Sequence, residues 1–143
     1  MFLACWRNFF QDKWVTSTAV GYTGGNKDNP TYEDVCSDST GHAEAVEVDF
    51  DPKLISYQEL LKIFFENHNP TTINRQGPDI GTQYRSGIFF HDEEQKRIAL
   101  DNIQKLNQLA KEKFGSEIAT KVLPASKFFR AEEYHQKYFQ KMG

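Results

Sequence analysis

Residues 21–44 read GYTGGNKDNPTYEDVCSDSTGHAE and bring Tyr32, Cys36, His42 and Glu44 into one short connection between two apolar stretches. A carboxylic acid, a phenol and a thiol are the parts of a small redox or proton-transfer site. The acid supplies a proton, the phenol donates a hydrogen bond, and the thiolate attacks. A connection that only turned the chain would need none of them. A second polar stretch, residues 66–85, ends in QGPDIGTQYR and adds Asp79 and Tyr84 just before another apolar run. Loops held by a rigid sheet are where sites are usually built. The plainer alternative makes Tyr32 and Tyr84 core-edge residues, and Asn29, Gly77 and Asp79 ordinary turn formers.

Other chemistries find little support. His42, His68, His91 and His135 are scattered, with no two at metal-ligand spacing beside a Cys, so no metal centre is expected. His135 reads as a structural or solvated residue of the last helix. Gly21, Gly24 and Gly25 form no dinucleotide fingerprint, and neither a Walker lysine nor a Gly-x-Ser-x-Gly elbow occurs.

The elements that must position these residues follow from periodicity. Val15 to Tyr22 is rich in β-branched and aromatic residues and predicts a strand ended by Gly24-Gly25. Ala43 to Phe50 predicts a second strand, stopped by Asp51-Pro52. Ser56 with Glu59 makes a capping box before Tyr57, Leu60, Leu61, Phe64 and Phe65 at helical spacing. Residues 66–80 read as a long polar loop and Arg85 to Phe90 as a short buried strand. Asp92 to Phe114 predicts an amphipathic helix with Gly115 past its end. Ile118 to Leu123 reads as a further strand and Ala131 to Met142 as a short helix. Strands separated by single helices predict an α+β sandwich, with helices packed on a mixed or antiparallel sheet.

A length of 143 residues suits one domain, 1–143, with a real core. The net charge of −3, without a basic stripe, gives no reason to expect nucleic acid. No apolar run approaches the roughly 20 residues that span a bilayer. Arg7 interrupts the apolar start too early for a signal peptide. Two cysteines make no disulfide framework, so the expectation is a cytoplasmic protein with reduced thiols. A monomer is the default for a chain without sustained heptads.

Taken together, GYTGG, NPTYEDVC, TGHAEAV, FFENHNPT, RQGPDIGTQYRS and AEEYHQKY resemble peptide methionine sulfoxide reductase of the A class. The blocks occur in the family's order and spacing from about Val15 to Tyr138. The resemblance implies a ferredoxin-like α/β sandwich and reduction of the S epimer of methionine sulfoxide, free or in proteins, as in protein repair under oxidative stress. It implies no bound cofactor and thioredoxin as the usual electron donor. Matched motif by motif, Glu44 is the acid, Tyr32 and Tyr84 hold the sulfoxide oxygen, and Asp79 supports them by hydrogen bonding.

The residues suit that chemistry independently. A sulfoxide sulfur is a poor electrophile until its oxygen is protonated, and a carboxylic acid kept neutral by burial can protonate it. Two phenols can hold the oxygen where charge develops. A thiolate then attacks sulfur and becomes a sulfenic acid, which a second thiol reduces through a disulfide. The departure falls on the nucleophile. The family's thiol lies in a Gly-Cys-Phe-Trp segment, whereas this chain has Ala4-Cys5-Trp6-Arg7, and the register counted back from Tyr32 reaches Met1. In one reading Cys5 is the nucleophile, with Trp6 against the substrate. In the other the N-terminus is atypical or truncated, and the chain binds oxidised methionine or a partner without turnover. Cys36 reads either as a resolving thiol or as a small buried or loop residue.

Overall fold

The computed structural model describes residues 15–37 and 39–131. Strand β1 (Val15–Thr23) pairs antiparallel with β2 (Ala43–Phe50) along its length, with Val20 opposite Val46 and Tyr22 opposite Glu44. Alternation puts Val20 and Tyr22 on one face of β1, and both are fully buried. They form a core cluster with Val35 and Ala131. The other edge of β1 pairs with β7 (Phe129–Arg130), Gly21 lying opposite Arg130. A Cβ at Gly21 would overlap the Phe129 carbonyl and the Phe128 ring, so a side chain there would push β7 off the sheet.

Ser56 caps helix α2 (Tyr57–Glu66) as its sequence predicts, its Oγ accepting the Glu59 N–H at 3.1 Å, but the box is one-sided, the Glu59 carboxylate accepting from the Ser56 hydroxyl at 3.4 Å. Strand β5 (Gly87–Phe90) runs parallel to β6 (Lys121–Pro124), and α3 (Glu93–Phe114) makes the crossover between them. Leu61, Ile88 and Ala99 bring α2, β5 and α3 into a second apolar cluster. Asp92 caps α3 by accepting the Gln95 N–H at 2.8 Å, and Gly115, at φ 79°, ends it in the left-handed region. The strand pairing is thus antiparallel in one part and parallel in another, as expected for an α+β chain.

Several elements depart from the sequence reading. The connection between β1 and β2 contains a helix, α1 (Tyr32–Cys36), and the loop of residues 66–80 contains a small hairpin of β3 (Arg75–Gln76) and β4 (Asp79–Ile80). Strand β5 begins at Gly87, not Arg85, because the Arg85 N–H closes a 3-10 turn over Thr82–Tyr84 by donating to the Thr82 carbonyl at 3.2 Å. Strand β6 begins at Lys121, not Ile118. The Ile118 N–H is taken by Asn107 Oδ1 at 2.9 Å and the Ala119 N–H by the Pro70 carbonyl at 2.7 Å. The predicted last helix with His135, and the residues Cys5 and Trp6, lie outside the described residues.

A cleft of about 550 Å³ runs along β2 between α2 and β5, its apolar wall including Val46, Val48, Leu60, Leu61 and Ile88. No described helix is long and apolar enough to cross a membrane. Among the described residues no cluster of His, Cys, Asp and Glu could hold a metal ion.

Candidate active site

Two excursions from the sheet converge on Glu44. That residue stands second on β2, opposite Tyr22, and directly opposed residues of an antiparallel pair point to the same face. Tyr22 fixes that face as the buried one, and Glu44 is accordingly only 8% exposed.

The first excursion runs from Gly24 to Gly41. Helix α1 within it is little more than one turn, and Val35 is its buried residue. Its start is a reciprocal capping box: Thr31 Oγ1 accepts the Asp34 N–H at 3.1 Å, and Asp34 Oδ2 accepts the Thr31 N–H at 2.9 Å. Lys27 pairs with Asp34 at 2.9 Å. The Thr31 N–H first, and the Lys27 ammonium second, hold the Asp34 carboxyl down at about 2. The helix places Tyr32 and Cys36 one turn apart on the same face.

The second excursion, Asn67 to Ser86, is bound by side chains that replace missing ladder partners. Gln76 accepts the Asn69 N–H at 3.1 Å and donates to the Asn69 carbonyl at 2.8 Å. Asn69 Oδ1 accepts from the Thr71 N–H at 2.9 Å and from the Thr71 hydroxyl at 2.6 Å. His68 donates through Nδ1 to the Phe64 carbonyl at 2.6 Å, leaving Nε2 to accept from the Ser86 hydroxyl at 2.7 Å. Ser86 in turn meets Thr120 at 2.7 Å. Burial pushes the His68 imidazole below its ordinary value of 6.5, against the opposing effect of its bond to Phe64. These ties carry the hairpin with Asp79 and the 3-10 turn with Tyr84.

The electrostatics of the two phenols show what meets at the centre. Tyr32 is pushed up to about 12, first by its hydrogen bond with Cys36 and that thiol's charge, then by burial, then by Tyr84 and Glu44. Tyr84 is raised first by burial, then by the charges of Glu44, Asp79 and Cys36, against a hydrogen bond from Gln83. Each phenol therefore stays protonated, and so a hydrogen-bond donor, well above neutral pH. Tyr32, Cys36, Glu44 and Tyr84 are near enough to act on one another, and Asp79 on Tyr84, although four elements carry them.

Two details correct or extend the sequence reading. Cys36 is exposed, at the last residue of α1, so it is not a buried packing residue. Arg85, which the sequence offered only as the start of a strand, joins the two excursions: Nη1 donates to the Thr82 carbonyl at 2.8 Å and Nη2 to the Gly41 carbonyl at 2.9 Å. No sequence signal marks that contact, which spans two loops. The large cleft is a weaker guide to the chemistry. Of the sequence-predicted residues among those described, only Glu44 lines it, so the site is defined by the groups around that carboxyl and not by the cleft.

A fold of this kind, with a buried acid flanked by two phenols, has clear relatives. A family model described as peptide methionine sulfoxide reductase matches residues 2–143. The chain is 55% identical over 135 residues to the peptide methionine sulfoxide reductase MsrA of Methanosarcina acetivorans, covering 94% of this chain and 71% of that one. The structure of methionine sulfoxide reductase A of Corynebacterium diphtheriae superposes with a TM-score of 0.89 at 35% identity, over 94% of this chain and 68% of that one. Mxr1 of Saccharomyces cerevisiae in complex with Trx2 superposes with a TM-score of 0.55 at 29% identity, over 92% and 72%. The likeness to the Corynebacterium structure bears out the α+β sandwich, and the match of family model and relatives over nearly all residues means that the chain belongs to the peptide methionine sulfoxide reductase family.

Proposed function

We propose that the chain reduces the S epimer of methionine sulfoxide to methionine, with Glu44 as acid and Tyr32 and Tyr84 as donors to the sulfoxide oxygen. What supports this assignment is that Glu44 is buried on β2 and that the two phenols, carried by separate excursions, lie close enough to it for its carboxyl to raise both. Asp79, whose charge reaches Tyr84, supports that phenol. Cys5 is the nucleophile, beside Trp6 against the substrate. Its thiolate attacks the sulfoxide sulfur while Glu44 gives a proton to the oxygen. The sulfur–oxygen bond breaks as the oxygen takes a second proton from solvent and leaves as water. Water then attacks the Cys5 sulfur and breaks the sulfur–sulfur bond, so that methionine leaves as the thioether, a proton is released and Cys5 is left as a sulfenic acid. A second thiol, Cys36 or an external one, attacks that sulfur, expels water and leaves a disulfide. A dithiol of the thioredoxin class then reduces the disulfide. The complex of the yeast relative with Trx2 supports a protein reductant of this kind.

No bound cofactor enters this scheme. The substrate is methionine sulfoxide, free or in proteins, and the setting is a cytoplasmic monomer of one domain. Neither the site nor its relatives favour the alternative of a chain that binds oxidised methionine without turnover. The test is single-turnover sulfide formation from a methyl sulfoxide, followed by steady-state assays of Cys5→Ser and Cys36→Ser with dithiothreitol. Stoichiometric sulfide from the native chain and its loss in Cys5→Ser are expected. Undiminished turnover by Cys5→Ser removes that thiol from the nucleophile's role.

A further inference from the structure

His42 takes no part in the chemistry above, yet it is one of the most enclosed polar residues of the chain, at 2% exposure. Both ring nitrogens are engaged, in opposite senses. Nδ1 accepts the Gly25 N–H at 3.0 Å, which leaves the ring proton on Nε2 to be donated to the Lys27 carbonyl at 2.7 Å. The Phe129 ring meets the imidazole edge to face at 5.6 Å. Around this pair the backbone is tightly laid. The Asn26 N–H donates to the Thr40 carbonyl at 2.8 Å. A Cβ at Gly25 would overlap the Thr40 carbonyl and the His42 amide nitrogen. The imidazole thus ties the outgoing limb of the first excursion to the residues that lead into β2.

The consequence runs in two directions from His42. Two residues on stands Glu44. Through Lys27, whose ammonium pairs with Asp34 at 2.9 Å, the tie reaches the capping box of α1 and so the base of Tyr32. A helix of this length cannot hold itself, because nucleation is unfavourable and little propagation follows. Its place depends on Val35 and on the limb that His42 anchors. We propose that His42 is a positioning residue for the reductase reaction: by clamping Gly25 and Lys27 to the start of β2, it fixes the Tyr32 hydroxyl relative to the Glu44 carboxyl. This rests on the assignment of Tyr32 and Glu44 made above.

The test uses the full chain with methionine S-sulfoxide and dithiothreitol. His42→Phe keeps the ring contact with Phe129 and loses both hydrogen bonds. Acting through Tyr32, the change can cost no more than the loss of that phenol, so kcat should fall by up to about tenfold with KM changed far less. His42→Asn retains an acceptor near the place of Nδ1, and His42→Gln a donor near the place of Nε2. Each should recover part of the loss, and they keep the test decisive if His42→Phe does not fold. The discriminating measurement is the double variant with Tyr32→Phe. If His42 acts through Tyr32, His42→Phe should add no more than about threefold to the loss caused by Tyr32→Phe alone, because coupled residues are not additive. Multiplying effects, or an unchanged kcat in His42→Phe, would overturn the proposal. If the native chain does not turn over, the catalytic assignment fails on its own, and amide exchange decides the clamp. Protection of the Val35 and Ser37 amides should fall in His42→Phe and be largely kept in His42→Asn. Equal protection in both variants would remove the clamp as well.

Discussion

The excursion from Gly24 to Gly41 and the excursion from Asn67 to Ser86 each bring one phenol to Glu44, and they are held by different means. The first has Pro30, Val35 and Thr40 as its buried residues among those described and a one-turn helix, with the buried imidazole of His42 just past its end. The second has a web in which Asn69, Thr71, Thr72 and Gln76 bond to one another and to nearby carbonyls. A structure with few strong anchors is sensitive to loss of any one, whereas a mesh of moderate hydrogen bonds spreads the loss. Mutational couplings can therefore tell the two apart, although both serve one carboxyl.

The largest effect should come from the point where they meet. Glu44→Gln keeps the shape of the side chain but has no acidic proton. Turnover of a methyl sulfoxide should fall about 10²- to 10⁴-fold, the ordinary contribution of a positioned acid. A fall of less than tenfold would mean that the proton comes from elsewhere.

Next are the phenols themselves. Tyr84→Phe should lower kcat roughly 10²-fold, as removal of one preorganised donor does. Tyr32 is 36% exposed, so water can replace part of its donation, and Tyr32→Phe should cost about tenfold in the same assay. The reverse order would show that the exposed phenol, with its Cys36 partner, is the dominant donor.

The anchors should differ in stability, as read by urea unfolding. Val35→Ala opens a cavity in the cluster with Val20 and Tyr22 and should cost about 2 kcal/mol. Asn69→Ala removes an acceptor shared by the Thr71 N–H and hydroxyl and should cost about 1 kcal/mol, since other ties of the web remain. Equal losses would deny that the two excursions are built differently.

The smallest effect is a pH dependence confined to the second excursion. Burial lowers the His68 imidazole below its ordinary 6.5, so the unfolded chain binds a proton more readily than the folded one. The associated stability is present above pH 6.5 and is lost as pH falls through the lowered folded value. Melting temperatures from pH 7.5 to 5 should therefore decline more steeply for the native chain than for His68→Gln. Parallel declines would exclude His68 as the source.

Much of the fold could be read along the chain. β1 was visible by its β-branched and aromatic residues, β2 by its apolar residues and the Asp51-Pro52 stop, and α2 and α3 because caps and helical spacing agree at Ser56, Asp92 and Gly115. Helix α1 was missed although Thr31 and Asp34 stand at capping-box spacing, because the turn-forming composition around them masks so short a helix. The two-residue strands β3, β4 and β7 have too few residues to show a period. Within the site, Glu44, Tyr32, Tyr84 and Asp79 stood out by residue type and motif. Arg85 did not, and His42 stood out by type but not by role, since their partners are backbone groups that no pattern of side chains records.

The sequence by itself determined the chemical kit of this methionine sulfoxide reductase: an acid, two phenols and two thiols, with the strands and helices that bear most of them. Those choices are local, made by residue type, alternation and capping. Only the tertiary structure decided that Glu44 is buried, that its charge reaches both phenols, and that Cys36 is exposed. The physical reason is that burial and charge coupling depend on which distant segments are packed together. Here that packing is set by the β1–β2 register and by the polar ties of two loops.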